Sequence, residues 1–293
     1  MHFTCVGAGA IGTLWALKLH AIGHHVHFWT RAKQSSVMCS FEFQSKYIFP
    51  ANNTRILAES DCILVCVKAF HVTTALNNFL PYLHTSPLVI LMHNGMGTAK
   101  DALRKLGDIP LLLATTSQGS LLISKNTIRH TGIGETRLGG INASGKQCGF
   151  MANIFNDALA PCTWDTNIER ALWHKLAISC MINPLTGILQ IQNGELVLPQ
   201  YRDQLRQLAN EVANVMRAKN IEIDSEIVLY HALFVAVATA TNYSSMNRDI
   251  FFKRSSEIGF ITGYLIRCAA SFGIALPENQ SLYNTIKHLE QSY

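Results

Sequence analysis

Three glycines near the start of the chain have a spacing that suits the binding of phosphate groups. Gly7, Gly9 and Gly12 form a G-x-G-x-x-G run between two short apolar stretches, "HFTCV" and "TLWALKLHAIG". In a strand-turn-helix unit the first glycine permits the turn, the second lets the backbone approach a pyrophosphate, and the third lets helix and strand pack closely. A purely structural turn is the alternative. The context favours a dinucleotide site made by Gly7, Ala8, Gly9, Ala10, Ile11 and Gly12.

Arg31 indicates which dinucleotide would bind. It follows "HVHFW", the second predicted strand, at the position where an acidic residue would bind the ribose 2′-hydroxyl of NAD. The chain has no carboxylate between Trp29 and Lys33. Because a guanidinium can bind a 2′-phosphate with paired hydrogen bonds, we expect NADP(H) as the cofactor. An ordinary surface arginine is the alternative.

A second set of polar residues lies farther along the chain. Lys175, Ser179 and Asn183 are spaced four residues apart, so on a helix their side chains share one face. Their neighbours are apolar, and a lysine, a hydroxyl and an amide on a buried face need partners or a cavity. A helix rim that meets water is the alternative reading. Pro184 follows at once, and we expect it to disturb the helix there.

Two further polar residues follow near-continuous apolar runs. Lys68 comes after "ILVCV" and Asn94 after "VILMH". Such runs are typical of buried parallel strands, and ligands of open α/β sheets bind beyond the carboxyl ends of the strands. We therefore expect Lys68 and Asn94 to lie at a ligand site, although solvated loop residues would show the same pattern.

The elements that position these residues follow from the hydropathy pattern. Residues 1–165 alternate strands and helices, which predicts an α/β Rossmann-type dinucleotide-binding domain. Residues 166–293 carry helical periodicity and predict an all-α substrate domain, with the active site in a cleft between the two. Predicted strands include "FEFQSKYIFP" and a buried "IPLLLATTSQGSLLI", and "NTIRHTGIGETRLGG" is predicted to form a hairpin. Predicted helices are "HVTTALNNFLPYL", "NIERALWHKLAISCMINPLTGIL", "LPQYRDQLRQLANEVANVMRAKN", "DSEIVLYHALFVAVATATNYSS" and "SSEIGFITGYLIRCAASFGI".

Composition excludes several classes of protein. The net charge of +5 is spread over 293 residues, which argues against a nucleic-acid surface. The eight cysteines form no C-x-x-C pair and suit buried thiols in a reducing compartment. The histidines of "HAIGHHVH" span a helix end and a strand, so we expect no metal site. We expect no signal peptide, no membrane span and a cytoplasmic protein; the sequence also allows a homodimer.

The motifs together resemble those of one enzyme family over nearly the whole chain. "KLAISCMINPLTGILQIQNGEL" closely resembles a signature of the 2-dehydropantoate 2-reductase, or ketopantoate reductase, family. "GAGAIGTLWA", "VKAF", "HNGMG", "TTSQGSLLI", "HTGIGETRLG" and "NYSSMNRDIFFKRSSEIGFITGY" are similar to its other motifs, in the same order.

The resemblance implies a reaction and roles for particular residues. Members of this family reduce ketopantoate to pantoate with NADPH, a step toward pantothenate and coenzyme A. It implies a general acid at Lys175 and a carboxylate at Glu257 that holds the nicotinamide riboside and supports the site. It places Asn94 between cofactor and substrate, Ser120 at the cofactor, and three residues at the substrate, Asn183, Asn193 and Ser245.

The residue chemistry agrees with that reaction, with two departures from the family pattern. Hydride transfer to a ketone needs a cation that can donate a proton, and Glu257 could keep Lys175 charged. The family often has asparagine where Ser179 stands, and often an aspartate where Gly259 stands; both departures bear on substrate recognition. Two alternative functions are an NADP-dependent reductase of another 2-oxo acid and a non-catalytic NADP(H) sensor. A sensor would not need the residues implied to act on the substrate, which are Lys175, Asn183, Asn193, Ser245 and Glu257.

Overall fold

The computed structural model describes residues 1–124 and 127–293, which divide into two compact units. The first unit comprises Met1–His93 and Thr98–Ala171, and the second comprises Asn94–Gly97 and Leu172–Tyr293. Eleven strands in the described residues all belong to the first unit: β1 (His2–Val6), β2 (His25–Trp29), β3 (Ser36–Phe41), β4 (Tyr47–Pro50), β5 (Cys62–Val65), β6 (Leu88–Met92), β7 (Leu111–Thr116), β8 (Gly119–Ser124), β9 (Thr127–Gly132), β10 (Thr136–Gly140) and β11 (Cys162–Trp164).

Helices occur in both units. In the described residues the α-helices are α1 (Ala10–Ala21), α2 (Thr54–Ala58), α3 (Val72–Phe79), α4 (Ala99–Leu106), α5 (Met151–Ala158), α6 (Ile168–Leu189), α7 (Arg202–Ala218), α8 (Ser225–Ala238), α9 (Ser245–Phe251), α10 (Thr262–Ser271) and α11 (Pro277–Gln291). The first five belong to the first unit, α6 starts there and continues into the second, and the last five belong to the second.

The larger sheet of the first unit has the Rossmann-type arrangement that the sequence predicts. Its strand order is β11-β10-β7-β6-β5-β1-β2, and the five strands from β7 to β2 are parallel. Every residue of β5 and β6 is buried, as the continuous apolar runs predicted. The strand order reverses beside β1, and the glycine turn follows that strand, which is where open α/β sheets bind ligands. The predicted fold class, α/β followed by all-α, is confirmed.

The smaller sheet corrects the prediction that "FEFQSKYIFP" is one strand. The sheet has the order β4-β3-β9-β8, and β3 and β4 pair as antiparallel neighbours. The quoted segment contains the end of β3, a turn and β4, and Phe43 in the turn has a φ of 60°. A polar and apolar alternation alone does not distinguish a continuous strand from a hairpin, because the turn residues preserve it.

Two predictions about residues 109–140 are also wrong. "IPLLLATTSQGSLLI" forms two strands, buried β7 and largely exposed β8, and "NTIRHTGIGETRLGG" is no hairpin because β9 pairs with β8 whereas β10 pairs with β7. Ser117 and Gln118 carry the chain from one sheet to the other. Gln118 donates to the carbonyl of Gly134 and accepts from its N–H, which fixes the returning chain beside this crossing. Lys125 and Asn126 lie outside the described residues.

The helical unit keeps most of the predicted helices but changes the start of one. α6 continues through Pro184 to Leu189, so the proline does not end the helix, and a local disturbance there stays a prediction. "SSEIGFITGYLIRCAASFGI" is helical only from Thr262. Before it, Glu290 accepts from the N–H and hydroxyl of Ser256, which holds a non-helical segment in place. α11 follows, and no periodicity argument above identified it.

Other features of the described chain bear on the excluded classes. All eight cysteines are free thiols, and six of them are buried. Within residues 1–124 and 127–293 no helix has the length and apolar character that a membrane span requires. The same residues contain no group of three or more histidine, cysteine, aspartate or glutamate side chains arranged to hold a metal ion.

Candidate active site

The glycine turn after β1 gives each glycine a separate physical role. Gly7 has a φ of +100°, a backbone conformation that side chains disfavour. A Cβ on Gly12 would lie 2.2 Å from the carbonyl oxygen of Gly7, so the start of α1 packs too closely for any side chain there. A Cβ on Gly9 would have no neighbour within 4 Å. Gly9 therefore borders open space, where the absence of a side chain leaves room for a phosphate group.

The first turn of α1 presents the donors that such a group needs. The N–H groups of the first turn lack intrahelical acceptors because the helix begins there, and the N-cap, Gly9, has no side chain that could accept from them. Ala10 and Ile11 are partly exposed in that turn, as is Ala8 before it. Ser120 donates from Oγ to the carbonyl of Ala10 at 3.1 Å, which ties β8 to the turn. This cradle fits a dinucleotide pyrophosphate.

Two cations predicted to bind the cofactor follow strands of the same sheet. Arg31 is exposed two residues after β2, and its Nη1 lies 3.5 Å from Nε2 of His71. Lys68 is partly exposed three residues after β5, and its Nζ lies 5.8 Å from the centre of the Phe70 ring. Because β2 and β5 flank β1, both cations belong to the same edge of the sheet as the glycine turn.

In the second unit, a lysine, an amide and a carboxylate form one hydrogen-bonded chain. Lys175 donates from Nζ to Oδ1 of Asn94 at 3.1 Å, and Asn94 donates from Nδ2 to Oε2 of Glu257 at 3.3 Å. Glu257 is buried, whereas Lys175 and Asn94 are partly exposed. The lysine and amide therefore combine a positioned ammonium with an accessible face, which a proton donor to a small ligand requires.

The environment of Lys175 tunes its acidity. Burial lowers the pKa of Lys175 from 10.5 to about 8, and the charge of Glu257 opposes this by favouring the ammonium form. Burial has the larger effect. The ammonium is still the main form at neutral pH, and it gives up a proton more readily than an exposed lysine would.

The turn that carries Asn94 was not identified as a positioning element from the sequence. Met96 donates its N–H to the carbonyl of Phe260 at 2.7 Å, three residues from Glu257. Gly95 has a φ of +78°, and a Cβ there would lie 2.3 Å from the same carbonyl oxygen. The asparagine-glycine pair in "HNGMG" was the available signal, since it marks a tight turn.

The other predicted substrate residues lie on α6, on the short 3₁₀ helix Asn193–Val197 and on α9, all in the second unit. Ser179 and Asn183 are partly exposed on α6, one and two turns after Lys175. Asn193 is buried after α6, donates from Nδ2 to Oγ1 of Thr239 at 2.9 Å, and keeps a buried Oδ1 without a partner in the described residues. Ser245 is the exposed first residue of α9.

The first unit is of the Rossmann type and carries a glycine turn, and the helical unit holds a lysine, an amide and a carboxylate. These two features place the chain among Rossmann-fold oxidoreductases with a helical second part. Two family models, described as "Ketopantoate reductase PanE/ApbA" and "Ketopantoate reductase PanE/ApbA C terminal", match residues 3–143 and 167–290. The chain belongs to the ketopantoate reductase family.

Individual relatives cover the chain from end to end. A protein of Vibrio cholerae described as 2-dehydropantoate 2-reductase is 43% identical over 293 residues, which covers 100% of this chain and 99% of the relative. A solved structure of D-mandelate dehydrogenase with NADH and anilino(oxo)acetate has a TM-score of 0.90 at 21% identity and covers 100% of this chain and 99% of its own. A ketopantoate reductase of Staphylococcus aureus, described as dimeric, has a TM-score of 0.81 at 19% identity, with 100% and 99% covered.

Proposed function

We propose that this chain catalyses the NADPH-dependent reduction of 2-dehydropantoate (ketopantoate) to pantoate, a step toward pantothenate and coenzyme A. The observation that carries the proposal is the hydrogen-bonded chain Lys175–Asn94–Glu257 in a member of the ketopantoate reductase family. The Vibrio cholerae relative described as a 2-dehydropantoate 2-reductase supports the choice of substrate.

The proposed cofactor is NADP(H), held by the glycine turn and by the cations beyond β2 and β5. Gly9 leaves space for the pyrophosphate, and the first turn of α1 offers N–H donors to it. Arg31 and Lys68 supply positive charge for a 2′-phosphate. When bound, the reduced nicotinamide supplies a hydride.

Lys175 is the proposed general acid. As a ketone carbonyl is reduced, negative charge develops on its oxygen, and a nearby ammonium both stabilises that charge and donates the proton. Asn94 accepts from Lys175 and donates to Glu257, which fixes the direction in which the ammonium points. A pKa of about 8 suits a donor that works near neutral pH.

Neutral donors on the helical unit are proposed to bind the substrate. A 2-oxo acid carries a carboxylate, and ketopantoate carries a hydroxyl group as well. Ser179, Asn183, Asn193 and Ser245 supply hydroxyl and amide groups that bind such groups without adding charge. The division at residue 165 between cofactor and substrate domains, a homodimer and a cytoplasmic location belong to the same proposal. The homodimer has the support of the Staphylococcus aureus relative described as dimeric.

The second candidate is a reductase of a different 2-oxo acid on the same fold. The D-mandelate dehydrogenase neighbour was solved with anilino(oxo)acetate, a compound with a 2-oxo acid group. Ser179, which is shorter than the asparagine often found in the family, is where pocket recognition would change.

A substrate and cofactor panel tests the proposal. NADPH and NADH oxidation would be followed by absorbance with ketopantoate, 3-methyl-2-oxobutanoate, pyruvate and phenylglyoxylate. We expect the highest kcat/KM for ketopantoate with NADPH. The comparison with 3-methyl-2-oxobutanoate, which has hydrogen in place of the hydroxymethyl group, isolates recognition of the hydroxymethyl group. A higher kcat/KM for phenylglyoxylate or pyruvate would favour the second candidate, and no oxidation with any ketone would reject both.

A further inference from the structure

His71 lies beside the arginine proposed to select the cofactor. It is the N-cap of α3, and its Nε2 lies 3.5 Å from Nη1 of Arg31. Both residues belong to the first unit and are at least partly exposed. The two side chains come from loops after β2 and β5, the strands on either side of β1.

This contact favours the neutral form of the ring. A guanidinium is always charged and can only donate, so Nε2 of His71 must act as the acceptor. A hydrogen bond of this kind requires a neutral imidazole with its proton on Nδ1. A protonated ring would have two donors and no acceptor for Arg31, so the contact opposes protonation.

The charges that face His71 favour the same neutral form. Burial lowers the pKa of His71, and Arg31 and Lys68 lower it further by repelling a second positive charge. On neighbouring α4, Asp101 accepts from Oγ1 of Thr73 and from Arg104, and Lys105 donates to Asn77.

We propose that His71 is a specificity-determining residue that takes up a proton when a 2′-phosphate binds at Arg31, so that preference for NADPH over NADH rises as pH falls. This inference rests on the proposed function. A phosphate dianion accepts hydrogen bonds from Arg31, and it can also accept one from His71 when the imidazole is protonated. The ribose hydroxyl of NADH carries no charge and would not favour the imidazolium.

Linkage gives the sign and size of the effect. A group that binds a proton more tightly in the complex makes ligand affinity rise as pH falls through its range. Between pH 8.5 and 6.5 the 2′-phosphate is mostly dianionic, because its second pKa is about 6. We expect the NADPH preference to rise about three- to fivefold over that range, because one opposite charge within hydrogen-bond reach shifts the proton affinity of the ring about tenfold and the range ends near the pKa of the free ring.

Proton uptake on binding tests the inference directly. Adenosine 2′,5′-bisphosphate and adenosine 5′-monophosphate would be titrated into the full-length protein by calorimetry at pH 7, in buffers of different ionisation enthalpy. We expect greater proton uptake with the bisphosphate. His71→Gln, which keeps a polar side chain, should abolish the difference. His84→Gln, which changes an exposed histidine in a separate loop of the same unit, should leave it intact.

The arms of the experiment separate this inference from the function on which it rests. If wild type binds the bisphosphate no more tightly than the monophosphate and Arg31→Ala changes neither, the NADP(H) assignment fails, and the inference fails with it. If Arg31→Ala abolishes the preference for the bisphosphate but His71→Gln keeps the extra proton uptake, only the inference is overturned. Circular dichroism of each variant verifies that the fold is retained.

Discussion

Burial of Lys175 is unfavourable for its charge but lowers its pKa into a range that suits a general acid. Burial disfavours its charged form, and Glu257 only partly compensates, so the pKa is lowered to about 8. A general acid is most effective when its pKa lies near the working pH, because a large fraction is then protonated and the proton is released readily. The same burial makes the charged lysine a cost to folding.

That cost leads to a stability prediction. Replacing Lys175 with methionine should raise the free energy of unfolding at pH 7, by up to about 3 kcal/mol at 1.36 kcal/mol for each pH unit between 8 and 10.5. The unfolded state binds more protons between these values, so wild-type stability should rise with pH through that range and approach that of the variant. Urea unfolding at pH 7, 8.5 and 10 measures this. A variant less stable than wild type at every pH would contradict it.

Ser179 tests how the substrate is recognised. If it faces the substrate, Ser179→Asn supplies an additional amide donor and should lower KM for ketopantoate about two- to tenfold, the value of one hydrogen bond. KM for NADPH should not change. A fall in Tm with KM for ketopantoate unaltered would mean that Ser179 faces protein packing, and it would then leave the site.

At the scale of elements, a tight turn positions the central amide. Gly95 follows Asn94, and its left-handed backbone and contact with the Phe260 carbonyl leave no space for a side chain. Gly95→Ala should displace Asn94 and so disturb both of its hydrogen bonds. We expect kcat for ketopantoate to fall at least tenfold and the alkaline limb of the pH profile, set by Lys175, to move.

A matched variant separates that effect from backbone strain alone. Gly273 has a similar φ of +67° but open space around its Cβ position, and it lies in the same unit. Gly273→Ala should cost about 1 kcal/mol of stability, the usual strain of that conformation, and leave kcat unchanged. Equal kcat for the Gly95→Ala and wild-type proteins would show that the turn does not position Asn94.

The elements also show where sequence patterns are sufficient. β5 and β6 were predicted because each lies in a near-continuous apolar run, β1 and β2 because they are short, mainly apolar stretches on either side of the glycine turn and its helix, and α6 because its periodicity is sustained over 22 residues. The errors concern pairing: "NTIRHTGIGETRLGG" has the composition of a hairpin, but β9 and β10 pair with strands of different sheets. Composition gives strands and turns, whereas the partner of a strand depends on contacts distant in sequence.

The site residues also divide into those that local sequence patterns predict and those that depend on contacts distant in sequence. The positions of Lys175, Ser179 and Asn183 on one helix face follow from local periodicity. The bond between Asn94 and Glu257 joins residues 163 positions apart, and only the family resemblance suggested that they act together. The Arg31–His71 contact, across 40 positions, had no signal in the sequence.

At the scale of the whole molecule, the residues assigned to the proposed reaction are found in both units. The glycine turn, Arg31 and Lys68 belong to the first unit, whereas Lys175 and Glu257 belong to the second. Asn94–Gly97 is part of the second unit even though the chain before and after it belongs to the first. Proton donation by Lys175 is the central claim, because the proposed reaction depends on it.

Turnover of a Lys175→Ala variant tests that claim most directly. Ketopantoate reduction by wild type, Lys175→Ala and Lys219→Ala, which changes an exposed lysine of the same unit, would be measured from pH 6 to 10, with NADPH affinity from fluorescence titration. We expect wild-type kcat to fall above about pH 8. Lys175→Ala should lose about 10²–10⁴-fold in kcat and show no alkaline limb, with NADPH affinity nearly unchanged. A folded Lys175→Ala protein that keeps near-native turnover and the same pH profile would contradict the account.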